Sequence, residues 1–185
     1  MSFYYNFDKV FSYNALINLV VGGRGIGKSF NSKLAVIKRF LKTGEQFVYV
    51  RRYKTELDSA VPTFFQSIQA KGYFEDHVFK VRKSKMLTEF YCDGEICGYA
   101  IALSTSNVLK SAEFPNVKTI IFDEYPIEDT RHKHYLKNEG RGCNMLVKSS
   151  HVVAIRDELS GTVKENFLDI LLKNLAYLRK IAIIP

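Results

Sequence analysis

The chain has 185 residues, 46% hydrophobic and 14% aromatic, enough to pack one good domain and short for two. No apolar run reaches the roughly 20 residues of a membrane-spanning helix, and the segment Met1 to Asn6 lacks the basic region and apolar core of a signal peptide. The formal net charge of +8 favours a polyanionic partner such as nucleic acid, a merely soluble basic surface being the plain alternative. Cys92, Cys97 and Cys143 are odd in number and show no zinc spacing, which fits a reducing compartment without a disulfide framework.

The chain opens with an aromatic-rich lead, Phe3 to Tyr13. In many P-loop proteins such a lead packs near the nucleotide base; simple core packing is an equally good reading. Leu16 to Val21 is a short apolar run of buried parallel-strand character. It runs into Gly22-Gly23-Arg24-Gly25-Ile26-Gly27-Lys28-Ser29, which fits the P-loop pattern. Phe30, Leu34, Ile37 and Leu41 then recur on one helical face, and Gly44 stands where a C-cap belongs. Strand, glycine loop and helix in this order give the motif its structural context. The glycines let backbone N–H groups turn toward phosphate oxygens, and the helix N-terminus adds partial positive charge. Lys28 is placed to reach the β- and γ-phosphates of ATP, and Ser29 to put its hydroxyl on Mg²⁺.

Phe47 to Val50 reads as the next strand, returning after a right-handed helical crossover. Arg51, Arg52 and Lys54 follow it directly, at the strand end that opens onto a ligand crevice. Nucleotide phosphates, nucleic acid, a neighbouring subunit and a solvated basic loop are all open as their role. Thr55 to Ala70 reads as helical, with Pro62 near the first turn of its main part and Phe64, Phe65 and Ile68 on its apolar side. Strand texture begins at Val78. Phe90 to Cys92 and Glu95 to Cys97 flank Asp93-Gly94, a type I′ hairpin signal, and Tyr99 to Leu103 extends the second arm. Ser104 to Pro115 is a polar connection containing Lys110.

Thr119 to Phe122 is a buried-strand run ending in Asp123-Glu124, a Walker B arrangement. Asp123 at the strand tip is suited to Mg²⁺, directly or through water, and Glu124 to act as general base on the attacking water. An acid next to the Walker B aspartate favours the additional-strand catalytic-glutamate branch of P-loop NTPases. The expected fold is therefore α/β: a mostly parallel central sheet, helices on both faces, and an inserted β-hairpin. Beyond Glu124 the pattern weakens. His132 and His134 lack a third metal ligand, Val152 to Ile155 reads as a further strand, and Phe167 to Leu178 carries a helical apolar stripe.

Several stretches together resemble one family: Phe11-Ser12-Tyr13, the loop Gly23 to Ser29, Gly44 to Lys54, Phe114 to Val117 and Thr119 to Glu124. They resemble the genome-packaging ATPase of small tailed phages of the salasvirus, phi-twenty-nine-like group, over about residues 3–139. The resemblance implies a subunit of a homo-oligomeric ring, reported as a pentamer, that hydrolyses ATP with Mg²⁺ to drive double-stranded DNA into a prohead. It implies work in the host cytoplasm, transiently on the portal, with a packaging RNA as partner in the best-known branch and no membrane. Position by position, it assigns nucleotide binding to Gly23 to Ser29, the Mg²⁺ acid to Asp123, the catalytic glutamate to Glu124, and a DNA or subunit-boundary role to Lys110. Arg51, Arg52, Lys54 and Lys110 are expected to share one basic surface. Residues 140–185 depart from the family pattern: none of Arg141, Arg156 and Arg179 aligns with an arginine finger. The expectation is a single ATPase domain over 1–185, without the nuclease-like domain that follows in the family. Two other readings stay open, a nucleotide-gated nucleic-acid-binding or assembly subunit without efficient turnover, and an unrelated P-loop enzyme such as a small kinase.

Overall fold

A computed structural model describes residues 5–15, 17–84, 87–105, 114–124, 151–156 and 181–184. Asn6 caps a first helix, α1 (Phe7–Ser12), its side-chain oxygen accepting from the N–H groups of Asp8 and Lys9. Strand β1 (Ile17–Val21) leads into the glycine loop, and α2 (Lys28–Thr43) leaves it. Helix α2 stops at Gly44, whose left-handed φ of 72° lets its N–H reach the Phe40 carbonyl. The later strands are β2 (Gln46–Arg51), β3 (Phe79–Lys83), β4 (Thr88–Cys92), β5 (Glu95–Ala102), β6 (Val117–Asp123), β7 (His151–Arg156) and β8 (Ile181–Ile184).

These strands form one eight-stranded sheet in the order β3-β4-β5-β2-β6-β7-β1-β8. The sheet is mixed. Strand β2 pairs parallel with β5 and β6, β6 parallel with β7, and β1 parallel with β7 and β8. The hairpin arms β3, β4 and β5 pair antiparallel at one end. The expected hairpin turn is present: Asp93 and Gly94 both have positive φ, 53° and 91°, as a type I′ turn requires. Asp93 fixes the hairpin further, accepting from the Val78 N–H at 2.8 Å and pairing with His77 at 2.6 Å.

Strand β2 is the core of the sheet. Phe47, Val48, Tyr49 and Val50 are all fully buried, the unbroken apolar pattern of a parallel strand covered on both faces. On one face Phe47 stacks on Phe64 and Phe90, and Phe64 meets Tyr49 edge-on. The segment carrying Phe64 departs from the expected continuous helix over 55–70. It splits into α3 (Lys54–Ala60) and α4 (Gln66–Gln69), with turns between, because Pro62 has no N–H to continue the ladder. The break still delivers Phe64, Phe65 and Ile68 to the core. Helix α1 and strand β8 are elements the sequence reading lacked. The stripe Phe167 to Leu178 and the histidines His132 and His134 lie outside the described residues.

Gly98 on β5 lies opposite Phe47, and a Cβ built there would stand 2.7 Å from the Phe47 carbonyl oxygen and 2.9 Å from its ring. Gly98→Ala should therefore destabilise the chain by about 1–3 kcal/mol, the usual cost of overpacking. Chemical denaturation reads this directly, and wild-type stability in the variant would contradict the β2–β5 register.

Candidate nucleotide site

The glycine loop connects the end of β1 to the start of α2, and its shape depends on left-handed backbone at Gly25 (φ 82°) and Gly27 (φ 78°). Gly27 is also the N-cap of α2, so the first N–H groups of the helix face the loop interior. Lys28 is 5% exposed. Its Nζ folds back over the loop and donates to the carbonyls of Gly22 at 2.7 Å and Gly23 at 2.6 Å. All eight loop residues expected to bind ATP, Gly22, Gly23, Arg24, Gly25, Ile26, Gly27, Lys28 and Ser29, belong to this one turn.

Strand β6 brings the two acids to the same place. Ser29 Oγ donates to Asp123 Oδ1 at 2.8 Å, joining the loop to the tip of β6 across the intervening strand β7. The other carboxylate oxygen is held by two groups from β2. Tyr49 Oη donates to Asp123 Oδ2 at 2.9 Å, and Arg51 Nη2 lies 3.2 Å from it. Arg51 Nε donates to Tyr49 Oη at 2.9 Å, and Arg51 Nη1 pairs with Glu124 Oε2. Glu124 itself sits in left-handed backbone (φ 57°) with its side chain 68% exposed. A non-glycine residue held there carries backbone strain of the kind that collects at functional sites.

This network explains the protonation behaviour of its members. Burial pushes the Tyr49 phenol well above its ordinary range, and the Asp123 charge pushes it further, so Tyr49 stays a hydrogen-bond donor. Burial alone would lower Arg51, but the charges of Asp123, Tyr49 and Glu124 hold its guanidinium above the ordinary value. Lys33, one turn along α2 from Ser29, lies over the rings of Phe64 and Tyr49 at 5.0 and 5.6 Å. Burial lowers its pKa against the opposing pull of Asp123.

A hydroxyl and a carboxylate oxygen 2.8 Å apart at the mouth of a phosphate-shaped loop are the oxygen donors a hard divalent cation takes. Ser29 and Asp123 thus fit Mg²⁺. Tyr49 had read only as strand core. It donates to the second oxygen of the same carboxylate and fixes its orientation. No linear spacing signals it, because β2 and β6 become neighbours only in the sheet.

Among the described residues, Arg51, Arg52 and Lys54 do not share one exposed basic surface. Arg51 lies on the same strand face as Tyr49, two residues away, and turns in to the acids. Arg52 points elsewhere: it is 4% exposed, its guanidinium is 5.8 Å from the Phe122 ring centroid, and burial pushes its pKa down to about 10. Lys54 alone of the three is solvent-facing, paired with Asp58 at 3.0 Å. Lys110 lies outside the described residues. Arg51 is drawn in by the two acids, and Arg52 is buried against the Phe122 ring, so neither faces solvent with Lys54.

The family model for the podovirus DNA encapsidation protein (Gp16) matches residues 1–180. Over 138 residues the chain is 44% identical to the DNA packaging proteins of Bacillus phages PZA and phi29, a match covering 75% of this chain and 39% of each relative. The match thus spans about two fifths of the length of these relatives. Among solved structures it is similar to the N-terminal domain of the DNA packaging ATPase from bacteriophage phi29, with TM-score 0.78 and 33% identity over 100% of this chain and 97% of that one. The large terminase of a thermophilic bacteriophage shares the fold, with TM-score 0.58 at 11% identity over 93% of this chain and 40% of that one. No helix among the described residues is long and apolar enough to cross a membrane. On the family match and the identity to its phage members, the chain belongs to the podovirus DNA encapsidation protein (Gp16) family.

Proposed function

We propose that this chain is the ATP-hydrolysing part of a viral motor that drives double-stranded DNA into a prohead. The observation that carries the chemistry is the Ser29–Asp123 hydrogen bond, which makes the loop and the strand tip one site with Glu124 beside it. Strand β7 lies between β1 and β6, the extra strand that gives the additional-strand catalytic-glutamate class its name, and this supports that assignment.

The chain's own groups divide the work. The loop N–H groups and the α2 N-terminus cradle the phosphates. Lys28 leaves the Gly22 and Gly23 carbonyls for the β- and γ-phosphate oxygens. Ser29 and Asp123 would hold Mg²⁺, which when bound would supply positive charge to the phosphates. Glu124 accepts the proton of the attacking water, and to do so it must separate from Arg51. Arg51 neutralises both acids until nucleotide and cation arrive, so nucleotide entry is coupled to movement of the Arg51 side chain at the end of β2.

That coupling supports a motor, because Arg51 leads directly through Tyr53 to α3 and the exposed Lys54. Lys54 and Lys110 take the DNA or subunit-boundary contacts in this reading. Gripping phosphates lets a motor pull without reading sequence. A homo-oligomeric ring on the portal, a packaging RNA and residence on the prohead in the host cytoplasm complete the proposal; the packaging role itself is supported by the phage DNA packaging proteins that the chain resembles. The second reading, a nucleotide-gated binding or assembly subunit without efficient turnover, draws on the Arg51–Glu124 pair, which holds the base.

Lys28→Ala should abolish productive ATP binding. Glu124→Gln should retain Mg²⁺-ATP and lose about 10²–10⁴-fold in turnover. Asp123→Asn should instead weaken Mg²⁺-dependent binding. Calorimetry with single-turnover kinetics separates the three, and wild-type turnover in Glu124→Gln would remove the general-base assignment.

Tyr49→Phe deletes one donor to Asp123 while keeping the core ring. It should raise the Mg²⁺ concentration needed for half-maximal binding and turnover by about 10-fold or more, with ATP affinity in the absence of Mg²⁺ unchanged. An unaltered Mg²⁺ requirement would reduce Tyr49 to a packing residue.

A further inference from the structure

The β4–β5 hairpin gathers three side chains of different chemistry. His77 lies in the segment leading to β3, Cys92 is the last residue of β4, and Asp93 opens the hairpin turn. One donor atom from each, His77 Nδ1, Cys92 Sγ and an Asp93 carboxylate oxygen, lies within 4.8 Å of the other two. Among the described residues no other three His, Cys, Asp or Glu side chains converge in this way. Strand β5 starts at this turn and runs parallel to β2, as β6 does, so the turn lies at the opposite end of the strands from the tip that carries Asp123. We propose that His77, Cys92 and Asp93 form a binding site for Zn²⁺, separate from the nucleotide site.

The donors select the metal. Sulfur, imidazole nitrogen and carboxylate oxygen are the ligands of Zn²⁺, and three of them leave a fourth position for water. Mg²⁺ takes oxygen ligands, so the site discriminates against the cation suited to Ser29 and Asp123. The spacing fits as well. Cys92 Sγ stands 3.7 Å from Asp93 Oδ2, and Zn–S and Zn–O bonds at a tetrahedral angle put such atoms about 3.6 Å apart. His77 Nδ1 is hydrogen-bonded to the same oxygen at 2.6 Å. Around the ion that pair opens to about 3.4 Å, a short swing for a side chain that is 33% exposed.

The groups around the ligands hold them in place. The Val78 N–H donates to Asp93 Oδ1 at 2.8 Å and the Asp93 N–H to the Val78 carbonyl at 2.9 Å. This clamp orients the carboxylate and leaves Oδ2 for the ion. Gln69 Nε2 donates to the His77 carbonyl at 3.4 Å, and the Phe74 ring meets the imidazole edge-on. Cys92 is 2% exposed, so the core fixes its sulfur, and the ion enters from the side of His77 and Asp93. On binding, the Cys92 thiol gives its proton to solvent and the neutral imidazole carries its proton on Nε2, which frees Sγ and Nδ1 to ligate. The bound ion staples the start of the edge strand β3 to the hairpin turn. The cysteines show no zinc spacing in the sequence because strand pairing brings the histidine to them.

Titration of the chain with Co²⁺, a coloured substitute for Zn²⁺, in excess Mg²⁺ tests this by absorbance. A thiolate ligand gives Co²⁺ a charge-transfer band that oxygen ligands do not. Wild type should bind one Co²⁺ per chain with that band, and equimolar Zn²⁺ should abolish it. Cys92→Ala should lose the band. His77→Ala and Asp93→Asn should each weaken Co²⁺ binding by about 10-fold or more; asparagine tolerates the positive φ of the turn, so the second variant removes the charge and keeps the hairpin. Zn²⁺ should also raise the thermal unfolding midpoint of wild type and leave that of His77→Ala in place. Circular dichroism checks that each variant folds, and if the buried Cys92→Ala change prevents folding, His77→Ala decides. A wild type without the charge-transfer band, or a folded His77→Ala variant with unchanged affinity or an equal thermal shift, overturns the proposal.

Discussion

One hydrogen bond, from Ser29 on α2 to Asp123 on β6, joins the glycine loop to the strand tip, and it depends on the register of the sheet. The two residues are far apart in the chain, one at the start of α2 and one at the tip of β6. For their oxygens to meet at 2.8 Å, β1 must deliver the loop at the same height as the tip of β6, with β7 between them as spacer. The parallel pairings of β1 and β6 to β7 supply that alignment. The geometry of the sheet is thus read out at the site as the separation of one hydroxyl and one carboxylate.

Strand β2 adds a layer of control to this pair. It is buried on both faces, so its C-terminal end is positioned by the core rather than by a loop. Tyr49 and Arg51 use that rigidity, one to orient the Asp123 carboxylate and one to neutralise Asp123 and Glu124 together. Two carboxylates held side by side without a cation would repel, and the guanidinium offsets that repulsion. In this arrangement Lys28 rests on loop carbonyls, and Arg51 rests on the acids.

Much of this was legible in the sequence because it is local. The glycine loop, the Gly44 cap, the Asp93-Gly94 turn and the apolar run ending in Asp123-Glu124 each announce themselves within a few residues, since backbone conformation dictates the residue types. The β-strand at Val152 was legible for the same reason. What stayed hidden depends on strand order. Tyr49 reads as core until β6 lies beside β2, and the arginines read as a surface until the acids and Phe122 are placed next to them. The split of the 55–70 helix shows a third limit: Pro62 was assigned to a tolerated position, and the missing N–H decided otherwise.

The central claim is that loop and strand tip act as a single Mg²⁺-nucleotide site through the Ser29–Asp123 contact. A double-mutant cycle on Mg²⁺-ATP affinity, with Ser29→Ala, Asp123→Asn and the double variant, measures it most directly. The account predicts strong non-additivity, a coupling energy of about 1–3 kcal/mol, as found for residues that share one partner. Additive losses within about 0.5 kcal/mol would mean that the two residues act independently and would contradict it.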